Sequence, residues 1–409
     1  IEEFGGNEYK VTGIPAGLPK MDYKQLLIDV LDGLSEESAG KDPDIITEKV
    51  ASMSCKAAVK GNNRLSFNEA FELMDELMKA ENPYNCPHGR PTLIMMKEPL
   101  IILTGPTAVG KTELSIALAK AVNGEIISAD SMQVYRYMDI GTAKITKEEM
   151  QGVKHYLVDE IEPSEGFDVA RFKSMATNAI EKIRENGHIP VVVGGTGFYI
   201  QAITKDIDFT QAEQEDGYRQ ELEQLAAEKG NEYLHQMLLD VDPVSAGEIH
   251  ANNVKRVIRA LEFYHQNQSP ISAHNQEQKE HETPYNLAYF VLNVPRELLY
   301  KRIDDRIDEM LKEGLLEEVQ KLKDMGYHRG MVSMQGLGYK EILAYLDGEY
   351  PLEEAVRILK RDTRHFAKRQ LTWFRREKDT IWMNKDEFDY NEDRILDEMP
   401  KVCRDRRIL

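Results

Sequence analysis

No apolar run in the sequence approaches the ~20 residues that a membrane-crossing helix needs, so no membrane partner is expected. Cysteine is scarce. The three present, Cys55, Cys86 and Cys403, are too few for a disulfide framework and suit a reducing compartment, so a cytoplasmic location is expected. A basic, apolar leader is also lacking, because the chain opens Ile1-Glu-Glu-Phe-Gly-Gly, acidic and polar. No initiator Met stands at position 1, so a fragment or a processed chain is expected. Positive charge is in deficit: 52 Lys and Arg against 71 Asp and Glu leave a formal charge of −19. That balance argues against indiscriminate adhesion to nucleic acid. It leaves room for a nucleic-acid substrate gripped by a local basic face. What remains is 409 residues, 41% of them hydrophobic, enough for two or three globular domains.

The most informative stretch is Leu100–Thr112. Leu100–Leu103 reads as a short buried strand, and Glu113–Val122 has apolar residues at helical spacing. Between them runs Gly105-Pro106-Thr107-Ala108-Val109-Gly110-Lys111-Thr112. Strand, Gly-x-x-x-x-Gly-Lys-Thr and helix are the setting of a phosphate-binding loop. Gly105 and Gly110 let the backbone turn its N–H groups onto an anion, and the helix N-terminus adds its dipole. Lys111 is expected on phosphate oxygens and the Thr112 hydroxyl on Mg²⁺. A chance glycine-rich turn is the bland alternative.

From Leu100 onward strands and helices alternate, which implies a parallel sheet with helices on both faces. Asp130 stands just beyond a strand at Glu125–Ser128, at the edge that lines the ligand crevice in such sheets. It could hold Mg²⁺ through water, act as a general base, or simply cap a helix. The strand at Ile189–Val193 lacks the terminal Asp that ordinary P-loop ATPases use and runs instead into Gly194-Gly195-Thr196-Gly197. That departure favours group transfer over ATP hydrolysis. Thr196 could supply a hydroxyl, or the glycines could only permit a tight turn.

Residues 201–283 are polar and helical and read as an insertion between core strands, with Lys255, Arg256 and Arg259 on one helical neighbourhood. A helix at Arg296–Gly314 carries Arg302 and Arg306, either phosphate-facing or part of an ordinary salt-bridged helix. Leu352–Arg376 is strongly basic, with Arg357, Lys360, Arg361, Arg364, Lys368, Arg369, Arg375 and Arg376 interleaved with Phe366, Trp373 and Phe374. Basic and aromatic residues together suit a phosphate backbone with stacked bases. The expected organisation is a small α+β unit over 1–97, a core over 98–200 and 284–385, the helical insertion 201–283, and an acidic tail over 386–409.

In the first unit, Cys86-Pro-His88 puts a thiol and an imidazole one residue apart in a rigid loop. The pair can share a metal, although a zinc site takes four ligands, and a purely structural loop is the alternative. Ile1–Gly6, Ser54-Cys-Lys-Ala-Ala-Val-Lys60 and Cys86-Pro-His-Gly-Arg-Pro-Thr92 resemble the C-terminal domain of endonuclease-bearing MutL mismatch-repair proteins. The resemblance implies that Cys86 and His88 bind a metal, Zn²⁺, and that the unit dimerises or contacts repair proteins. The family's Asp-Gln-His-Ala-x-x-Glu motif is absent, so nicking by this chain alone is not expected.

Residues 98–385 resemble the bacterial tRNA dimethylallyltransferases, the MiaA family of isopentenyl transferases. The likeness rests on Gly105–Thr112, Ser128-Ala-Asp-Ser-Met-Gln-Val-Tyr135 and Met138-Asp-Ile-Gly-Thr-Ala-Lys144. It continues through Gly194-Gly-Thr-Gly-Phe-Tyr199, Arg256-Val-Ile-Arg-Ala-Leu-Glu262, Gly336-Leu-Gly-Tyr-Lys-Glu341 and Ala367-Lys-Arg-Gln-Leu-Thr-Trp-Phe-Arg375. It implies a P-loop NTPase-like fold and transfer of a dimethylallyl group from its diphosphate to N6 of the tRNA adenosine 3′ of the anticodon. Asp130 would then be the base. Lys111, Arg306 and a Mg²⁺ on Thr112 would steady the diphosphate. Asp130, Ser131, Met132, Gln133 and Thr196 would meet the nucleotide, and Arg256, Arg259, Lys368 and Arg369 would hold the anticodon stem-loop. The competing expectations are a small-molecule P-loop kinase and a repair-interaction protein with an accessory transferase.

Overall fold

A computed structural model describes residues 2–5, 8–10, 67–79 and 97–409, apart from 208, 210–215 and 281. The backbone divides into two compact units, Ile1–Met96 and Lys97–Leu409. In the first, strands β1 (Glu2–Gly5) and β2 (Glu8–Lys10) pair antiparallel, and α1 (Phe67–Met78) is an amphipathic helix. Cys55, Cys86 and His88 lie outside the described residues.

The second unit is built on six parallel strands in the order β5-β4-β6-β3-β7-β8. These are β3 (Glu98–Thr104), β4 (Gly124–Ser128), β5 (His155–Tyr156), β6 (Ile189–Gly194), β7 (Tyr285–Asn293) and β8 (Thr380–Asn384). β3 lies at the centre, with Ile101 opposite Val191 on one side and Ala288 on the other. Leu100 to Leu103 are fully buried, as a strand covered on both faces requires. Helix α2 (Lys111–Ala121) carries the chain from β3 to β4, and α3 (Val169–Glu185) carries it back from β5 to β6. These connections run in opposite directions along the sheet, so right-handed crossovers put α2 and α3 on opposite faces. Asp168 caps α3 by accepting a hydrogen bond from the Arg171 N–H at 2.8 Å, and Phe172, Ala176, Ala179, Ile180 and Ile183 form its buried stripe.

After α4 (Gly197–Thr204) the chain leaves the sheet for five helices among the described residues. These are α5 (Asp216–Lys229), α6 (Asn231–Val241), α7 (Pro243–Glu248), α8 (Val254–Asn267) and α9 (Ile271–Glu280). They enclose a core of their own around Leu222, Leu234, Leu238, Val257, Ile258 and Leu261. Buried Glu262 on α8 accepts Arg219 of α5 in a two-pronged pair, 2.8 and 2.7 Å, so it holds the insertion together rather than forming a solvated charged face. The chain re-enters the sheet at β7. It then runs through α10 (Arg296–Glu313), α11 (Leu315–Asp324), α12 (Tyr339–Leu346) and α13 (Leu352–Phe374) to β8.

The acidic tail expected at 386–409 is instead a packed element. Helix α14 (Glu392–Asp405) lies against α2, with Ile395, Met399 and Cys403 buried at helical spacing. A narrow i, i+4, i+8 stripe needs few apolar residues, and the surrounding acidic residues conceal it in composition.

Candidate active site and nucleic-acid interface

The phosphate loop joins β3 to α2 as expected. Gly105 needs its glycine for a close approach, since a Cβ there would sit 2.6 Å from the Leu292 carbonyl oxygen. Gly110, with φ of 87°, is the left-handed residue that starts α2. The Lys111 ammonium folds over the loop and donates to the carbonyls of Gly105 (3.0 Å) and Pro106 (2.9 Å). Enclosure there pulls its pKa from 10.5 down to about 7, and Arg306 and Lys385 push the same way while Asp130 opposes them. Burial likewise lowers the Arg306 guanidinium against the pull of Asp130 and Glu313. Two cations are thus crowded beside one carboxylate, an arrangement that favours an anionic ligand.

Asp130 lies beyond the end of β4. Its Oδ1 accepts the N–H groups of Met132 (2.8 Å) and Gln133 (3.3 Å), and turns, not a helix, follow it. No helix is capped there: the two bonds close a turn and orient the carboxylate. Asp130 lines a cavity of about 320 Å³ together with Thr107, Ala108, Ser131, Met132, Thr142, Thr196, Arg306 and Arg369. Ile303, Ile307, Met310, Leu359 and Phe366 give it an apolar side, and Gln335, Tyr339, Lys340 and Thr363 add polar groups elsewhere on the wall. Gln133 stands one step back, its amide donating to the carbonyls of Thr142 (3.3 Å) and Ala143 (3.4 Å).

The glycines at the end of β6 and just beyond it are there for close approach, not for an unusual backbone. A Cβ on Gly194 would meet the Ala129 carbonyl at 2.3 Å, on Gly195 the Gln370 amide at 2.2 Å, and on Gly197 the Trp373 ring at 2.2 Å. Gln370 is a residue that sequence reasoning passed over. Its Oε1 accepts the Thr107 N–H at 2.9 Å and its Nε2 donates to the Gly195 carbonyl at 2.9 Å, pinning the phosphate loop to the β6 turn. The signal was a polar residue on the buried stripe of α13, between Ala367 and Phe374.

The basic face of α13 divides in two. Arg357 pairs with Glu354, Lys360 with Asp308, Arg361 with Asp362 and Arg364 with Asp304, so its first half is neutralised within the protein, partly by α10. That corrects the expectation of one continuous nucleic-acid face. Among the described residues no ion pair involves Lys368, Arg369, Arg375 or Arg376. Trp373 and Arg376 line an open cleft of about 900 Å³ with Phe198, Arg256, Arg259 and His274, between α4, the insertion and the end of α13. Phe198 meets Trp373 edge-on, ring centroids 6.1 Å apart. Lys368 and Arg369 flank the same end of α13, beside His365 and Thr372.

Among the described residues no group of three or more His, Cys, Asp or Glu could hold a metal ion. Thr112 offers one hard oxygen at the start of α2, the donor type Mg²⁺ takes alongside phosphate oxygens and water. The residues fit an ion that arrives with a diphosphate.

Comparison with known proteins fits this geometry. The family model for IPP transferase matches residues 133–377, more than half of the chain. The chain belongs to the IPP transferase family. A tRNA dimethylallyltransferase from Lachnoclostridium phytofermentans is 62% identical over 313 residues, covering 76% of this chain and 99% of that protein. The crystal structure of the full-length tRNA isopentenylpyrophosphate transferase from Bacillus halodurans is 45% identical, with a TM-score of 0.55, covering 75% of this chain and 99% of that one. A eukaryotic dimethylallyltransferase captured acting on tRNA is 31% identical, with a TM-score of 0.62, covering 70% of this chain and 74% of that one. Residues 1–65 match the MutL C terminal dimerisation domain, a span that takes in Ile1–Gly6 and Ser54–Lys60 but not Cys86–Thr92. The family match ends at residue 377 and so leaves out β8 and α14.

Proposed function

We propose that the second unit is a tRNA dimethylallyltransferase, moving a dimethylallyl group from its diphosphate to N6 of the adenosine 3′ of the anticodon. One observation carries this reading. A phosphate loop, a carboxylate and a half-buried arginine border a cavity that has one apolar side, and α13 leads from that cavity to a cationic, aromatic cleft. A small-molecule kinase has no use for the second feature.

The chemistry follows from the residues. The diphosphate lies against the loop amides, Lys111 and Arg306. Thr112 would hold the Mg²⁺, which when bound offsets diphosphate charge. The allyl group lies on Ile303, Ile307 and Phe366, where water is excluded from a carbon developing cationic character. Adenosine N6 forms a bond to that carbon as the carbon–oxygen bond breaks, and pyrophosphate leaves toward Lys111 and Arg306. Asp130 takes the proton that N6 gives up. Its capped Oδ1 keeps the carboxylate aimed at the cavity. The adenosine must leave its stack to reach the site; Ser131, Met132 and Thr196 meet it, and Gln133 supports the wall from behind. Arg256, Arg259, Lys368 and Arg369, with the aromatic rings of the cleft, hold the anticodon stem-loop through phosphates and stacking. A cytoplasmic site of action follows from the tRNA substrate. For the first unit we propose Zn²⁺ binding through Cys86 and His88 and dimerisation or contact with repair proteins.

Incubation with labelled dimethylallyl diphosphate and unmodified tRNA tests the transfer. Label is expected in the RNA. Label left in the diphosphate, with ATP turned over on a small acceptor, would overturn the reading.

A further inference from the structure

Two motifs from the sequence remain without a role: Met138–Lys144 and Gly336–Glu341. The structure joins them through a third residue. Glu318, on α11, accepts three successive backbone N–H groups with one carboxylate: Asp139 (2.9 Å) and Ile140 (2.7 Å) on Oε2, and Gly141 (3.1 Å) on Oε1. Oε1 also accepts the Tyr339 hydroxyl at 2.7 Å. Tyr339 is fully buried at the start of α12, and a Cβ on Gly141 would sit 2.6 Å from its ring. Gly141, Thr142, Gly338 and Tyr339 all line the 320 Å³ cavity. One carboxylate thus ties together two stretches of cavity wall about 200 residues apart in sequence.

The clamp does more than shape the loop. Internal turn bonds already do that, the Ala143 N–H donating to the Ile140 carbonyl and the Thr142 hydroxyl to the Met138 carbonyl. What Glu318 adds is the docking of that turn onto α11 and α12. Among the described residues no cation pairs with it, so its charge is answered by donors from the cavity wall. Bonds of that kind are strong and directional.

We propose that Glu318 is a positioning residue. It sets the wall formed by Gly141, Thr142 and Tyr339 so that the flipped nucleotide lies within reach of Asp130, while the diphosphate side of the cavity stays independent of it. The proposal rests on the transfer reaction above. Misplacing an acceptor by about 1 Å can cost on the order of 100-fold in rate.

The test compares wild type, Glu318→Gln and Tyr339→Phe in the full chain. Melting temperature, pyrophosphate affinity and kcat/KM for an anticodon stem-loop RNA with dimethylallyl diphosphate are measured for each. The glutamine removes acceptor capacity at constant shape. It is expected to lower kcat/KM for the RNA by about 10- to 100-fold, with pyrophosphate affinity within about twofold of wild type. Tyr339→Phe removes one of the four bonds; it should lose less, and in the double variant the losses should not add. Equal kcat/KM in Glu318→Gln, or a matching loss of pyrophosphate affinity, overturns the proposal. Should Glu318→Gln fail to fold, Tyr339→Phe decides: a loss confined to the RNA supports the clamp, and unchanged activity overturns it. Wild type that transfers no label refutes the reaction itself and is separable from either result.

Discussion

At the residue scale the site depends on charges held close together with little water between them. Lys111 is the clearest case. Its pKa of about 7 means that the free protein loses this proton across neutrality, while a bound diphosphate favours the ammonium. Pyrophosphate is therefore expected to bind best below about pH 7 and more weakly as pH rises, taking up a proton near pH 8. Calorimetry in two buffers of different ionisation enthalpy reads that proton directly, and identical heats would exclude it. The stability sign is opposite to that of a paired lysine. Between about 7 and 10.5 the unfolded chain holds a proton that the ligand-free fold has lost, so stability should rise with pH across that window. Asp130 gives the second prediction at this scale. Asp130→Asn keeps an Oδ1 for the N–H groups of Met132 and Gln133 but has no base to offer. Transfer should fall by roughly 10²- to 10⁴-fold with RNA affinity unchanged; full activity in that variant would take the base role from Asp130.

At the scale of elements, α13 is the organising piece. Its early cations lock it to α10, its middle lines the cavity through Thr363, Phe366 and Arg369, and its end opens on the cleft through Trp373 and Arg376. Gln370 couples this helix to the phosphate loop. Gln370→Leu leaves the Thr107 N–H and the Gly195 carbonyl unpaired in a buried setting, which costs about 1–3 kcal/mol each. A lower melting temperature and weaker pyrophosphate binding are expected together. Weaker binding without destabilisation would mean that Gln370 acts on the ligand directly.

At the scale of the molecule, the C-terminal segment belongs to the second unit and reaches the glycine loop at Gly110. Lys385, just after β8, is 1% exposed, sits beside Gly110 and pairs with Glu392 of α14. It is one of the cations that hold the Lys111 pKa down. Lys385→Met should raise that pKa and move the pH at which pyrophosphate binding weakens upward. A binding profile with an unmoved midpoint would show that the two ammonium groups do not interact. A cation at the N-terminus of α2 opposes the helix dipole, and Glu392 offsets part of that cost.

By itself the sequence determined the phosphate loop, the alternation of strands and helices, and the family, because each of these is a local pattern. Leu100–Thr112 folds as expected from its own spacing: a fully buried strand, a turn at Gly110, a helix. Asp130 was legible from its place after a strand. Only the tertiary structure decided which cations are paired within the protein. Arg357 and Arg364 look like Lys368 and Arg369 in sequence, but Asp304 and Asp308 of a different helix lie against the first half of α13. It also decided the reason for Gly194, Gly195 and Gly197, the service of Gln370 and Glu318, and the burial of a helix that looked like a tail. Each of these is a contact between segments far apart in the chain, and residue spacing carries no information about which distant surface will be packed against it.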